Sequence, residues 1–171
     1  MKSRFGAKEQ FLSKVNPDTQ VFFALNTEAA VMGDYPTLMD ICVAYGNNFS
    51  TEWLIPLIDN LALYTGVKNL NGSQELELAR IIAIEYRHLK ITEILLFFAR
   101  FKAGRYGRFY VTVDPMVITC ALRDFMRERN ELISYYEREQ KEREESMQPK
   151  ITWEEYCQMK GISKPNPLTQ L

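Results

Sequence analysis

The sequence predicts an all-α fold, a single-domain bundle of about six to seven helices with a short extended loop before the longest of them. Three observations predict it. Apolar residues recur at helical spacing in one segment after another. Most of those segments open at Asn, Ser, Thr or Asp and stop at Gly. Eight glycines and seven prolines in 171 residues are too few for the many tight turns of a sheet-rich chain.

Residues 1–16 read as a flexible N-terminal tail and 17–136 as the helical core. Asn16-Pro17 starts the first helix, with Asn as cap and Asp18 in the positive first turn; it runs to about Met32 and ends at Gly33. The second begins near Pro36, carries Leu38, Ile41, Cys42 and Tyr45, and stops at Gly46. The third, capped by Asn48 or Ser50, carries a stripe from Trp53 to Tyr64 and ends at Gly66; Pro56 falls in its first two turns, where proline costs least. Asn71-Gly72 makes a turn, and Ser73 caps a fourth helix with Leu76, Ala79, Ile82, Ala83 and Tyr86 on one face. The fifth, Thr92 to about Lys102, is almost wholly apolar and belongs in the middle of the bundle.

Gly104 ends that helix and Gly107 turns the chain, while "RFYVTV" has the β-branched and aromatic character of a short extended piece. Asp114-Pro115 opens the longest helix, whose apolar side runs from Ile118 through Phe125 to Tyr136. Residues 137–148 form a charged helical extension with i,i+4 pairs at Glu137–Lys141 and Glu139–Arg143. Pro149 breaks it, and 149–171 hold a short helix, capped by Thr152 and ended by Gly161, and a tail.

Catalytic and metal chemistry find little purchase. The single histidine, His88, lies near none of Cys42, Cys120 and Cys157, so no zinc spacing exists. Cys42 and Cys120 fall on apolar helical faces and read as core residues. Phosphate-binding loops, nucleophile elbows and calcium loops are absent from the sequence. No enzyme activity and no cofactor are expected. With no apolar run of bilayer length and no leader-like start, the cytoplasm is the expected compartment.

Charge is uneven. The net charge is −1, yet Arg80–Tyr110 carries +5 and the remainder −6. The centre of that run, "ARFKAGRYGRFY", interleaves cations with aromatics around two glycines, which suits phosphate contact with base stacking. The candidate nucleic-acid-binding residues are Arg100, Lys102, Arg105 and Arg108 on phosphates, Tyr106 and Tyr110 on bases, and Arg123 and Arg127 extending the surface from the next helix. A structural turn whose arginines pair with neighbouring carboxylates explains the same residues, and both readings stay open.

Leu89–Arg129, "LKITEILLFFARFKAGRYGRFYVTVDPMVITCALRDFMRER", resembles the core of a family of small, uncharacterised helical proteins of Bacteroides-type bacteria and their phages or mobile elements; "PTLMDICVAYG" and "TEWLIPLI" are similar too. The resemblance implies a mobile-element or phage setting and brings no catalytic residues. The function expected is a non-enzymatic helical binding module, an accessory factor in DNA transactions that contacts nucleic acid or an acidic protein face. The alternative is a protein–protein adaptor working through the charged long helix and the C-terminal helix.

Overall fold

The computed structural model describes residues 1–147 and 153–161. Its elements are α1 (Lys2–Phe5), α2 (Lys8–Lys14), a 3-10 turn at Pro17–Thr19, α3 (Gln20–Leu25), α4 (Thr27–Met32), α5 (Leu38–Tyr45), α6 (Phe49–Thr65), α7 (Gly72–Glu85), α8 (Ile91–Lys102), α9 (Pro115–Met147) and α10 (Trp153–Lys160). The fold is all-α, and the described residues contain no strand. Two compact units are present, Met1–Tyr136 and a second beginning at Glu137.

In the first unit α8 is the axis. Ile91 through Phe98 are all buried, as a helix apolar on every face requires. It packs against α3, α4 and α6, and α6 packs in turn on α5 and α7. Its start differs from expectation. Thr92 does not cap it; its hydroxyl donates to the Ala30 carbonyl at 2.7 Å, across the bundle. Glu93, fully buried, instead accepts from the Lys90 N–H at 2.8 Å and from Arg129 Nε of α9 at 2.6 Å. A buried carboxylate is tolerable only with such partners.

The helix count rises because the expected first helix is three pieces. Asn26 breaks it: its side-chain amide donates to the Phe22 carbonyl at 2.8 Å and its backbone leaves the helical region at φ −118. Residues 1–16 are not a tail. They form α1 and α2, and they insert Phe5, Phe11 and Val15 into the core. Phe11 contacts the rings of Phe5, Tyr45, Phe49 and Trp53, while Trp53 Nε1 donates to the Val15 carbonyl at 2.7 Å. Asn71, not Ser73, caps α7, its side chain accepting from the Gln74 N–H at 3.0 Å. Asp114 caps α9 as expected, accepting from the Met116 N–H at 2.8 Å.

The extended piece is a pair of isolated backbone contacts. Lys68 N–H donates to the Val111 carbonyl at 3.2 Å, and Val113 N–H donates to the Lys68 carbonyl at 2.9 Å.

In the second unit α9 continues as a helix to Met147. Arg143 pairs with Glu139 at 2.5 Å, while Lys141 reaches Glu145 at 3.8 Å rather than Glu137. The expected break at Pro149, the Thr152 cap and the terminal tail lie outside the described residues.

Candidate functional site

The basic aromatic run begins on the last turn of α8 and leaves it at Ala103. Gly104 and Gly107 take φ of +80 and +103, the left-handed region in which a side chain is strained. This reversal turns most of the intervening aromatics inward. Phe109 stacks on Phe101 at 5.3 Å between ring centres, and Tyr106 stacks on Phe97 at 5.6 Å. Burial pushes the Tyr106 phenol well above its usual range, and the hydrogen bond from its hydroxyl to Glu128 Oε2 (2.9 Å) adds to this.

Glu128 gathers the cations. Arg100 Nη1 donates to the same Oε2 at 2.9 Å, and Arg105 Nη1 lies 3.6 Å from it. The Arg100 side chain is only 11% exposed and that of Arg105 is 55% exposed. Lys102 turns the other way. Its ammonium donates to Gln20 Oε1 at 2.8 Å and to Asn60 Oδ1, and it sits over the Tyr64 ring. Desolvation lowers its pKa, with the Asp18 charge opposing.

Three of the eight expected nucleic-acid-binding side chains are thus engaged within the chain. Arg100, Lys102 and Tyr106 tie the loop and α8 to their neighbours, each held by a carboxylate or amide oxygen of the chain itself. Arg105 is half-exposed and shares Glu128. Arg108, Tyr110, Arg123 and Arg127 remain on the surface. Arg127 pairs with Asp124 at 2.5 Å, Arg123 Nη2 donates to Cys120 Sγ at 3.3 Å, and the Arg108 guanidinium lies over the Tyr110 ring at 5.1 Å.

Between the loop and the first turns of α9 runs an open groove of about 750 Å³, lined by Tyr106, Arg108, Tyr110, Met116, Val117 and Cys120 among others. Tyr110, Val111 and Met116 stand out at 81%, 76% and 69% exposure. A comparable groove of about 730 Å³ between α1 and α5 has balanced charges, Lys2 and Arg4 with Asp34 and Asp40. Cys42 and Cys120 are half-buried rather than core; Cys42 Sγ donates to Ser50 Oγ at 2.9 Å. His88 is exposed between α7 and α8. Among the described residues there is no cluster of three metal-ligating side chains and no helix long and apolar enough to cross a membrane.

Glu128 and Met116 were not among the expected site residues. Their signal is spacing: Glu128 is three residues beyond Phe125 on the inward face, and Met116 and Cys120 share a face at i,i+4.

A family described as a family of unknown function (DUF6633) matches residues 69–165, more than half of the chain. The chain belongs to that family. Its DUF6633 region takes in α7, α8, the glycine loop and α9, and so the whole groove and Glu128. No curated protein and no solved structure matches the chain.

Proposed function

We propose that this chain is a non-enzymatic helical binding module whose groove beside Arg108 takes a short protein segment bearing apolar and acidic side chains. One observation carries the reading. Tyr110 and Met116, both exposed, line one groove with Arg108, which forms no ion pair among the described residues. Isolated exposed apolar residues mean little, but a contiguous group in a concave surface suits a partner. With Arg100 and Lys102 engaged internally, too few free cations remain for the row of phosphate contacts that gives nucleic-acid affinity. From the resemblance noted above we take the setting, an accessory role in phage or mobile-element DNA transactions.

The test is selection of a random displayed peptide library on the whole protein. Enriched peptides should pair an aromatic or aliphatic anchor with Glu or Asp, and Arg108→Ala with Met116→Ser should weaken them about tenfold, or ~1.4 kcal/mol. Preferred binding of a single-stranded oligonucleotide with a steep salt dependence, and no such peptide, would refute the proposal.

A further inference from the structure

Lys102, on the last turn of α8, reaches between two carboxamides. Its ammonium donates to Oε1 of Gln20, the first residue of α3, at 2.8 Å, and to Oδ1 of Asn60 on α6, above the Tyr64 ring. Among the described residues no carboxylate forms an ion pair with it, although the Asp18 charge acts on it. A lysine drawn out of water is ordinarily matched by a carboxylate. Here both partners are neutral, and a carboxamide, unlike a carboxylate, can offer a donor as well as an acceptor.

Gln20 has a second atom to account for. Its side chain belongs to a residue only 2% exposed, and Nε2 is buried without a hydrogen-bond partner. Oε1 and Nε2 share one amide carbon, so this donor lies within about 5 Å of the lysine nitrogen. A buried unpaired donor is costly, and an ammonium cannot relieve it, because an ammonium has no acceptor. The group that satisfies Gln20 in full carries an N–H for Oε1 and, on the same side, an oxygen for Nε2.

A carbamate on Nζ has that pattern. Its N–H keeps the bond to Oε1, and the oxygen cis to that hydrogen accepts from Nε2, so Gln20 binds it at two points without moving. An ordinary acyl group does not match, since a trans amide sets its N–H and its carbonyl on opposite sides. Asn60, turned about its own amide, can donate to the second carbamate oxygen. Carbamate formation starts from the uncharged amine. Desolvation lowers the Lys102 pKa and favours that form, with Asp18 opposing. Lys102 is half-buried rather than sealed, and Asn60 lines an open groove of about 560 Å³ with Pro17 and Leu63, which leaves a path for a small dissolved molecule.

We propose that Lys102 is a carbon dioxide site, converted at Nζ to a carbamate that Gln20 and Asn60 hold. The uncharged amine attacks the carbon of carbon dioxide. A nitrogen–carbon bond forms, one carbon–oxygen π pair moves onto oxygen, and one proton leaves Nζ for water. No oxidant, reductant or further reactant is needed, and loss of carbon dioxide reverses the step. A positive charge is thereby exchanged for a negative one where α3, α6 and α8 meet. The proposal does not depend on the groove beside Arg108.

Trapping tests it. The full chain is equilibrated with isotopically labelled bicarbonate and treated with a trialkyloxonium salt, which fixes a carbamate as its stable ester; peptide mass spectrometry then locates the label. The Met1 amine serves as the internal control for trapping. Lys102 should carry more label than any other lysine. Gln20→Glu sets a carboxylate against Nζ, which favours the ammonium and repels the carbamate, and should cut the label at Lys102 about tenfold or more. Should that variant fail to fold, Asn60→Asp decides in its place, with the same expected fall. Label confined to Met1, or no greater on Lys102 than on the other lysines, overturns the proposal, as does label at Lys102 that persists undiminished in the folded variant.

Discussion

Glu128→Ala is the substitution that best measures how the basic loop is held. Three donors fall on one oxygen, Oε2, and they differ in worth. Arg100 is nearly buried at 2.9 Å, so losing its acceptor leaves an unpaired guanidinium and costs ~2 kcal/mol. Tyr106 loses the partner of a half-buried hydroxyl, about 1 kcal/mol. Arg105, more than half exposed and 3.6 Å away, adds under about 0.5 kcal/mol. The expected total is ~3 kcal/mol, seen as a fall in the urea midpoint with unchanged slope and a drop in Tm of roughly 6–12 °C for a chain of this size. Double-mutant cycles apportion it. Glu128→Ala with Arg100→Met should show a coupling of ~2 kcal/mol, and with Arg105→Ala a coupling near zero. Equal couplings, or a total below about 1 kcal/mol, would mean that Glu128 does not anchor the loop and that Arg100 is freer than its burial implies.

Other perturbations test other parts of the fold. Arg129→Ala strands the buried Glu93 carboxylate and should cost ~3–5 kcal/mol in chemical denaturation. Phe11→Ala should cost about 3–5 kcal/mol, and deletion of residues 1–16 should abolish cooperative unfolding, since both open a cavity among Tyr45, Phe49 and Trp53. Glu75 has a native pKa raised from 4.5 to about 7, so the native state holds this proton more tightly than the unfolded chain. Its contribution is therefore favourable on the acidic side, and stability falls as pH rises across that window. Glu75→Gln should remove this slope and raise stability at alkaline pH by ~1 kcal/mol, discounted for the water around the side chain; unfolding curves across pH check it.

The all-α class was legible because it rests on period and punctuation. Gly46 and Gly66 end helices where they were expected to, and Asp114 caps α9. The misreadings share a physical cause: a polar or apolar group used across the bundle looks local in sequence. Thr92 has the chemistry of a cap, but its hydroxyl serves Ala30, sixty-two residues away. Phe5, Phe11 and Val15 are spread among lysines, serines and a glycine, so no dense stripe advertises them. Only the aromatic pocket of Tyr45, Phe49 and Trp53 makes Phe11 a core residue. Asn26 broke a helix that periodicity alone carried through.

The candidate site was half legible, and helix geometry explains which half. Successive residues of a helix turn by about 100°, so Arg100 and Lys102 point to nearly opposite sides and cannot share one ligand. One meets Glu128 of α9, and the other meets Gln20 of α3 and Asn60 of α6. Their place at the C-terminal end of α8 is already favoured by the partial negative charge of its last carbonyls. Positive charge counted along this run therefore overstates positive charge on the surface. After Ala103 the helical constraint ends, and the left-handed turns at Gly104 and Gly107 decide what faces outward. They direct Tyr106 and Phe109 onto the Phe97 and Phe101 rings and leave Arg108 and Tyr110 outside, stacked on each other beside Met116. An aromatic face, a guanidinium and a thioether in one concave strip suit a side chain as well as a base, and with Arg100 and Lys102 held inside the chain we propose the acidic protein segment ahead of nucleic acid.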